Sequence, residues 1–152
     1  MTGSSPGDRW NEVIADSDTT ATEYRDRGWT AVALHPGDVN PVSDGARLDV
    51  LLPGSEFEAV SEVVATADID TVRVYAGTDE AVQYRLVVAE DEAESVAVCV
   101  PTFVDKSKLN ALQFEADAQG GLTLRLRPLD DRDVVEIDVP DPAVFFDPSP
   151  TE

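Results

Sequence analysis

The sequence predicts an α+β fold: a single domain with a largely antiparallel sheet and helices, in the order α-β-β-α-β-β-β-α-β-β. Three observations predict it. Short Val- and Leu-rich runs bounded by Gly, Pro and acidic residues have the length and composition of strands. Three longer segments carry apolar residues at helical spacing. The strands come in consecutive groups, which argues against the strict alternation of a doubly wound sheet. No internal repeat of fixed period is present.

Residues 1–7, rich in Gly, Ser and Pro, read as a flexible leader, residues 8–146 as the domain, and residues 147–152 as a Pro-rich tail. Over 8–27, Trp10, Val13, Ile14, Ala21 and Tyr24 fall near one helical face, and Gly28 is a natural stop. Asp16 to Thr20 are poor helix formers that compete for backbone hydrogen bonds. They are expected to divide the segment, with Thr20 and Glu23 capping a second helix. Trp29 to Leu34 form a first strand, His35 to Ala46 a loop with two prolines and two glycines, and Leu48 to Leu52 a second strand. Pro53-Gly54 stops it, and Ser55 with Glu58 makes a capping box for a helix lined by Phe57, Val60, Val64 and Ala67. Runs at 71–76, 82–89 and 95–100 read as an antiparallel meander. A helix is expected over 105–118, ended by Gly120-Gly121, then a hairpin of 122–127 and 134–139 around Asp130 to Asp133. Pro142 to Phe146 suit one helical turn.

The chain has 152 residues, 31 acidic against 11 basic side chains, and a formal net charge of −20 at pH 7. Apolar residues make up 42%, so the acid is not that of a disordered chain. It is spread along the length, as a solvated surface would be. Such a charge repels itself in dilute buffer. Molar salt shortens the Debye length to about 3 Å and screens it, which points to a salt-rich solvent. In that setting net charge says little about partners, although phosphate binding would need basic clusters, so nucleic acid is not favoured. No signal peptide and no membrane-length apolar run is apparent, and a cytoplasmic location is expected.

Candidate chemistry is sparse. Cys99, the single cysteine, lies in a Val-rich strand and reads as a small core residue. His35, the single histidine, ends the first strand before Pro36-Gly37. The bland reading is a strand cap; the sharper one is a small enzyme, a divalent-metal hydrolase using His35 with Asp38, Asp49 and the neighbouring Asp44. Zinc would need more ligands than one His and one Cys, and no cofactor is expected. The arginines are more informative. Arg73, Arg85, Arg125 and Arg127 all fall in expected strands, Arg73 shares a face with Tyr75, and Arg125 and Arg127 alternate with Leu122, Leu124 and Leu126. If these strands share a sheet, its polar face is an arginine stripe suited to another protein or an anionic ligand. The opposing view is that Glu136 and Asp138 neutralise the stripe across strands.

Gly28-Trp29, His35-Pro36-Gly37-Asp38-Val39, Arg127-Pro128-Leu129 and Asp141-Pro142 with Phe145-Phe146 resemble a family of small acidic haloarchaeal proteins of unknown function. The resemblance spans residues 8–146 and implies a haloarchaeal cytoplasm, with no activity to carry over. The expectation is a non-catalytic interaction or regulatory module.

Overall fold

Helix α1 (Pro6–Asp26) runs unbroken through the Asp16–Thr20 segment expected to divide it. In this computed structural model the described residues are 6–42, 45–78, 81–130, 133–146 and 149–150. Ser17 of that segment is taken up by the sheet, and Thr22 just beyond it bonds back into the helix. Ser17 is fully buried with its Oγ 3.5 Å from the Cys99 carbonyl, and Thr22 donates to the Asp18 carbonyl at 3.0 Å. Pro6 and Gly7, expected in the leader, form the first turn, where a proline costs no hydrogen bond. The remainder of that leader lies outside the described residues. The helix ends as the sequence suggests: Gly28 takes φ +87°, Gly28 N donates to the Arg25 carbonyl and Trp29 N to that of Tyr24.

The strands form two sheets where one was expected. Strands β1 (Thr30–Ala33), β4 (Thr71–Thr78), β5 (Val82–Asp91), β6 (Val96–Asp105) and the two-residue β9 (Ser149–Pro150) make the first, in the order β1-β6-β5-β4-β9. Strands β2 (Asp38–Val42), β3 (Arg47–Leu51), β7 (Leu122–Arg127) and β8 (Val135–Val139) make the second, in the order β2-β3-β7-β8. The meander β4-β5-β6 and the β7-β8 pair are antiparallel as expected, while β1-β6, β3-β7 and β4-β9 pair in parallel. Both sheets are therefore mixed. Strand β2 occupies part of the expected loop; Pro41 is tolerated there because β2 is an edge strand. Pro101 sits in β6, opposite Leu86 of β5. Pairing with β1 ends at Cys99, so its missing N–H faces the side that β1 has left.

Helices α2 (Gly54–Val64), α3 (Lys106–Gln119) and α4 (Ala143–Phe146) complete the domain. The Ser55 capping box does not form: α2 begins one residue earlier, with Pro53 at the cap and no side-chain bond. Asp105 does cap α3, accepting from Ser107 N at 2.8 Å.

One core lies between the sheets. The β5–β6 face bearing Val87, Ala89, Val98 and Val100 meets Leu48, Val50, Leu124 and Leu126 of the second sheet. Phe57 and Val60 of α2, Leu112 of α3 and Phe145 of α4 join it. The opposite face, with Ala31, Val88, Ala97 and Cys99, is covered by Ala21 and Tyr24 of α1. Small residues on both sides of that contact (Ser17 and Ala21 against Ala97 and Cys99) let the helix lie close. Ala21→Leu is expected to cost about 1–3 kcal/mol by overpacking. Thr22→Leu, on the exposed face, should stay within about 0.5 kcal/mol. Urea unfolding at fixed salt checks both.

Candidate functional site

The arginine stripe does not assemble. Arg73, Tyr75 and Arg85 belong to the first sheet, whereas Arg125 and Arg127 belong to the second. Within the first sheet, Arg85 also faces away from Arg73, because register pairs it with Ala76 and Arg73 with Val88. Arg85 is buried, and its Nε donates to the Phe145 carbonyl at 2.8 Å and its Nη1 to that of Tyr84 at 3.0 Å. It ties α4 to the sheet, and burial lowers its pKa. Arg125 and Arg127 do alternate with buried leucines, on the outer face of the second sheet. There Asp49 lies 3.8 Å from Arg125 Nη1 and 3.3 Å from Arg47 Nε, and Glu136 stands opposite Arg125 in register. That face is a ladder of alternating charge. Sequence alternation placed Arg73 with Tyr75, and Arg125 and Arg127 opposite the leucines, correctly; it carried no information on which strands share a sheet.

The alternative site also resolves differently. His35 meets neither Asp38 nor Asp49. Its Nδ1 lies 2.7 Å from Glu56 Oε2 of α2 and its Nε2 2.9 Å from Asp18 Oδ1 of α1. Burial acts against the charged ring, but these two carboxylates, Glu56 foremost, outweigh it and hold the pKa above its usual value. Both ring nitrogens are thus already engaged by carboxylates. Asp38 instead accepts from Val39 N and Asn40 Nδ2, Asp49 pairs with arginines, and Asp44 lies outside the described residues. Among the described residues, no group of three or more His, Cys, Asp or Glu is arranged to hold a metal. Cys99 is fully buried, and burial pushes its thiol up to about 12, far from a nucleophile's range.

The concave feature lies elsewhere. Helix α1 packs chiefly over β1, β6 and β5 and covers β4 least. The uncovered margin is a groove of about 720 Å³, open to one side. The helix contributes Arg9, Glu12, Asp16, Glu23, Tyr24 and Arg27 to its wall. The strands contribute Tyr75, Gly77, Tyr84 and Leu86. The chain has three tyrosines, and all three line this one groove. Register explains the strand side: Tyr75 faces Leu86 and Gly77 faces Tyr84, so all four share a face, and Gly77 leaves the floor open. On the helix, positions 9, 12, 16, 23 and 27 form a stripe beside the one that packs on the sheet.

Behind the groove lies a buried carboxylate. Glu90 is 3% exposed, accepts a short hydrogen bond from the Tyr24 hydroxyl, and sits 3.3 Å from Arg73 Nε. Burial, then the Glu90 hydrogen bond, raises the Tyr24 pKa. The Tyr24 hydroxyl is thereby fixed. Arg27 lays its guanidinium 4.5 Å from the centre of the Tyr24 ring. Of the residues expected at a site, Tyr75 lines the groove and Arg73 flanks it. Tyr24, Tyr84 and the helix carboxylates were not expected there. The available signals were the acidic stripe along α1 and a glycine inside a Val-rich strand.

The fold and the groove define an α+β domain of two mixed sheets with a side-opening, tyrosine-lined cavity. The chain belongs to a family of unknown function, DUF7529, whose model matches residues 2–147. Comparison with curated proteins and with solved structures gives no match. Among the described residues, no helix is long and apolar enough to cross a membrane.

Two predictions follow from the geometry of the single His and Cys. Because the His35 pKa is raised in the folded state, its stabilisation is complete below its unfolded value of about 6.5. It is lost as pH rises through the folded pKa. At fixed salt the melting temperature should fall across this range, and His35→Gln should flatten the fall. The ring is 43% exposed, so the effect is about 0.5 kcal/mol. Separately, a thiol-specific disulfide reagent should label Cys99 only at the rate of unfolding.

Proposed function

We propose that the protein is a non-catalytic binding module of a salt-rich cytoplasm, with the groove between α1 and the β4–β5 strands as its site. One observation carries the reading: Tyr24 of α1, remote in sequence, meets Tyr75 and Tyr84 of the β4–β5 pair at a single open cavity of ligand size. The groups that would serve catalysis are otherwise engaged, His35 between two carboxylates and Cys99 in the core. An anionic ligand on a shared arginine face loses its support, because those arginines divide between two sheets. The halophilic part of the proposal, with the haloarchaeal origin implied by the resemblance, rests on charge. Among the described residues Glu90 and Asp91 are the buried acids, and the other described acids are at least partly exposed.

Gly77 gives a clean test of the groove. A Cβ built there meets only Tyr84 Cβ, at 3.8 Å, an ordinary contact, so Gly77→Phe fills the cavity without displacing backbone. Saturation-transfer NMR with a panel of amines, carboxylates, sugars and nucleosides should give binders with the native chain that vanish in G77F. A panel in which no binder depends on Gly77 would refute the site. For the solvent, the melting temperature should be higher in multimolar KCl than in low salt; equal values would remove the halophilic reading.

A further inference from the structure

We infer that the groove selects an organic cation, an ammonium group carried on an apolar body. The inference rests on the groove being the binding site and adds the class of ligand. Two independent features of the wall point the same way.

The first is an excess of negative charge, Glu12, Asp16 and Glu23 against Arg9 and Arg27. Glu12 and Asp16 stand one helical turn apart, where like charges repel. Arg9 Nη1 sits 3.5 Å from Glu12 Oε1, which leaves Asp16 without a cationic partner among the described residues. Glu23, two turns further along, has none among them either. Burial and then the Glu12 charge raise the Asp16 pKa, so its ionised form is held at a cost that a bound cation would relieve.

The second is aromatic. Tyr24 already receives the Arg27 guanidinium on its ring face, so this wall attracts a cation supplied by the chain itself. Tyr75 lies across the groove, half-buried, with Leu86 beside it in register. A ligand placed between would meet Glu12, Asp16 and Glu23 beside Arg9 and Arg27 on the helix side, and a ring and a leucine on the strand side. Aromatic rings compete poorly with water for a strongly hydrated ion such as K⁺. They favour weakly hydrated organic cations, which lets the groove discriminate in brine.

Titration calorimetry in molar KCl, with choline as the probe, tests the inference. Its control is the uncharged isostere in which carbon replaces the quaternary nitrogen. Choline should bind and the isostere should bind at least about tenfold more weakly. Tyr75→Leu should weaken choline about tenfold. Asp16→Asn, which removes an already disfavoured charge and should leave the fold intact, should weaken it about threefold. A short neutral peptide carrying one lysine distinguishes the source. Tighter binding of the peptide assigns the cation to a partner's side chain, tighter binding of choline assigns a free small molecule, and either supports the class. Equal affinity for choline and its isostere, or choline binding unchanged in both G77F and D16N, overturns the inference. If choline fails while another panel member binds in a Gly77-dependent way, the groove stands and only its cation preference falls.

Discussion

Burial of the β5–β6 hairpin on both faces is the constraint from which the remaining architecture follows. Val87, Val88, Ala89, Val98, Cys99 and Val100 are all fully buried. Successive side chains of a strand point to opposite faces, so this run must be covered twice. One cover is α1. The other is the second sheet with α2, α3 and α4. A single layer would have left half of the hairpin in water, at about 25 cal/mol for each Å² of apolar surface exposed.

The two covers are unequal, and the groove is the consequence. The second sheet and its helices span β4, whose Val74 lies in the shared core. On the other face a lone helix, seated by Ser17 and Ala21 against small residues of β6, covers only part of the sheet's width. It leaves the margin bearing Tyr75 and Gly77 open. The same seating brings the Tyr24 hydroxyl onto Glu90, so the carboxylate buried at this margin is satisfied by the helix and by Arg73. An unpaired carboxylate there would be costly. The groove wall and the buried network thus share one residue, and the position of α1 governs both.

Several polar residues that looked functional serve instead to join elements. Arg85 holds α4 to the first sheet through carbonyl contacts. His35 joins α1 to α2 through Asp18 and Glu56. Asp49 joins β3 to β7 through Arg125. In so acidic a chain a cation has many anions within reach, and where it lands depends on which elements the fold brings beside it.

The sequence determined the local structure. Val-rich runs, Gly28 and Gly120 as stops and the alternation of Arg125 and Arg127 with leucines were legible because each depends on neighbours a few residues away. The same holds for Cys99 as a core residue. Strand β2 was hidden by Pro41, which only an edge position permits, and the unbroken α1 was hidden by Asp16 to Thr20, of which Ser17 is absorbed by the Cys99 carbonyl. What only the tertiary structure decided was the partition of strands between two sheets, and with it the fate of the arginines and of His35. It also brought Tyr24 of α1 to the groove that Tyr75 and Tyr84 share. Those outcomes depend on long-range pairing, such as β1 with β6 and β3 with β7, set by which apolar faces bury one another. Alternation within a strand carries no record of that choice.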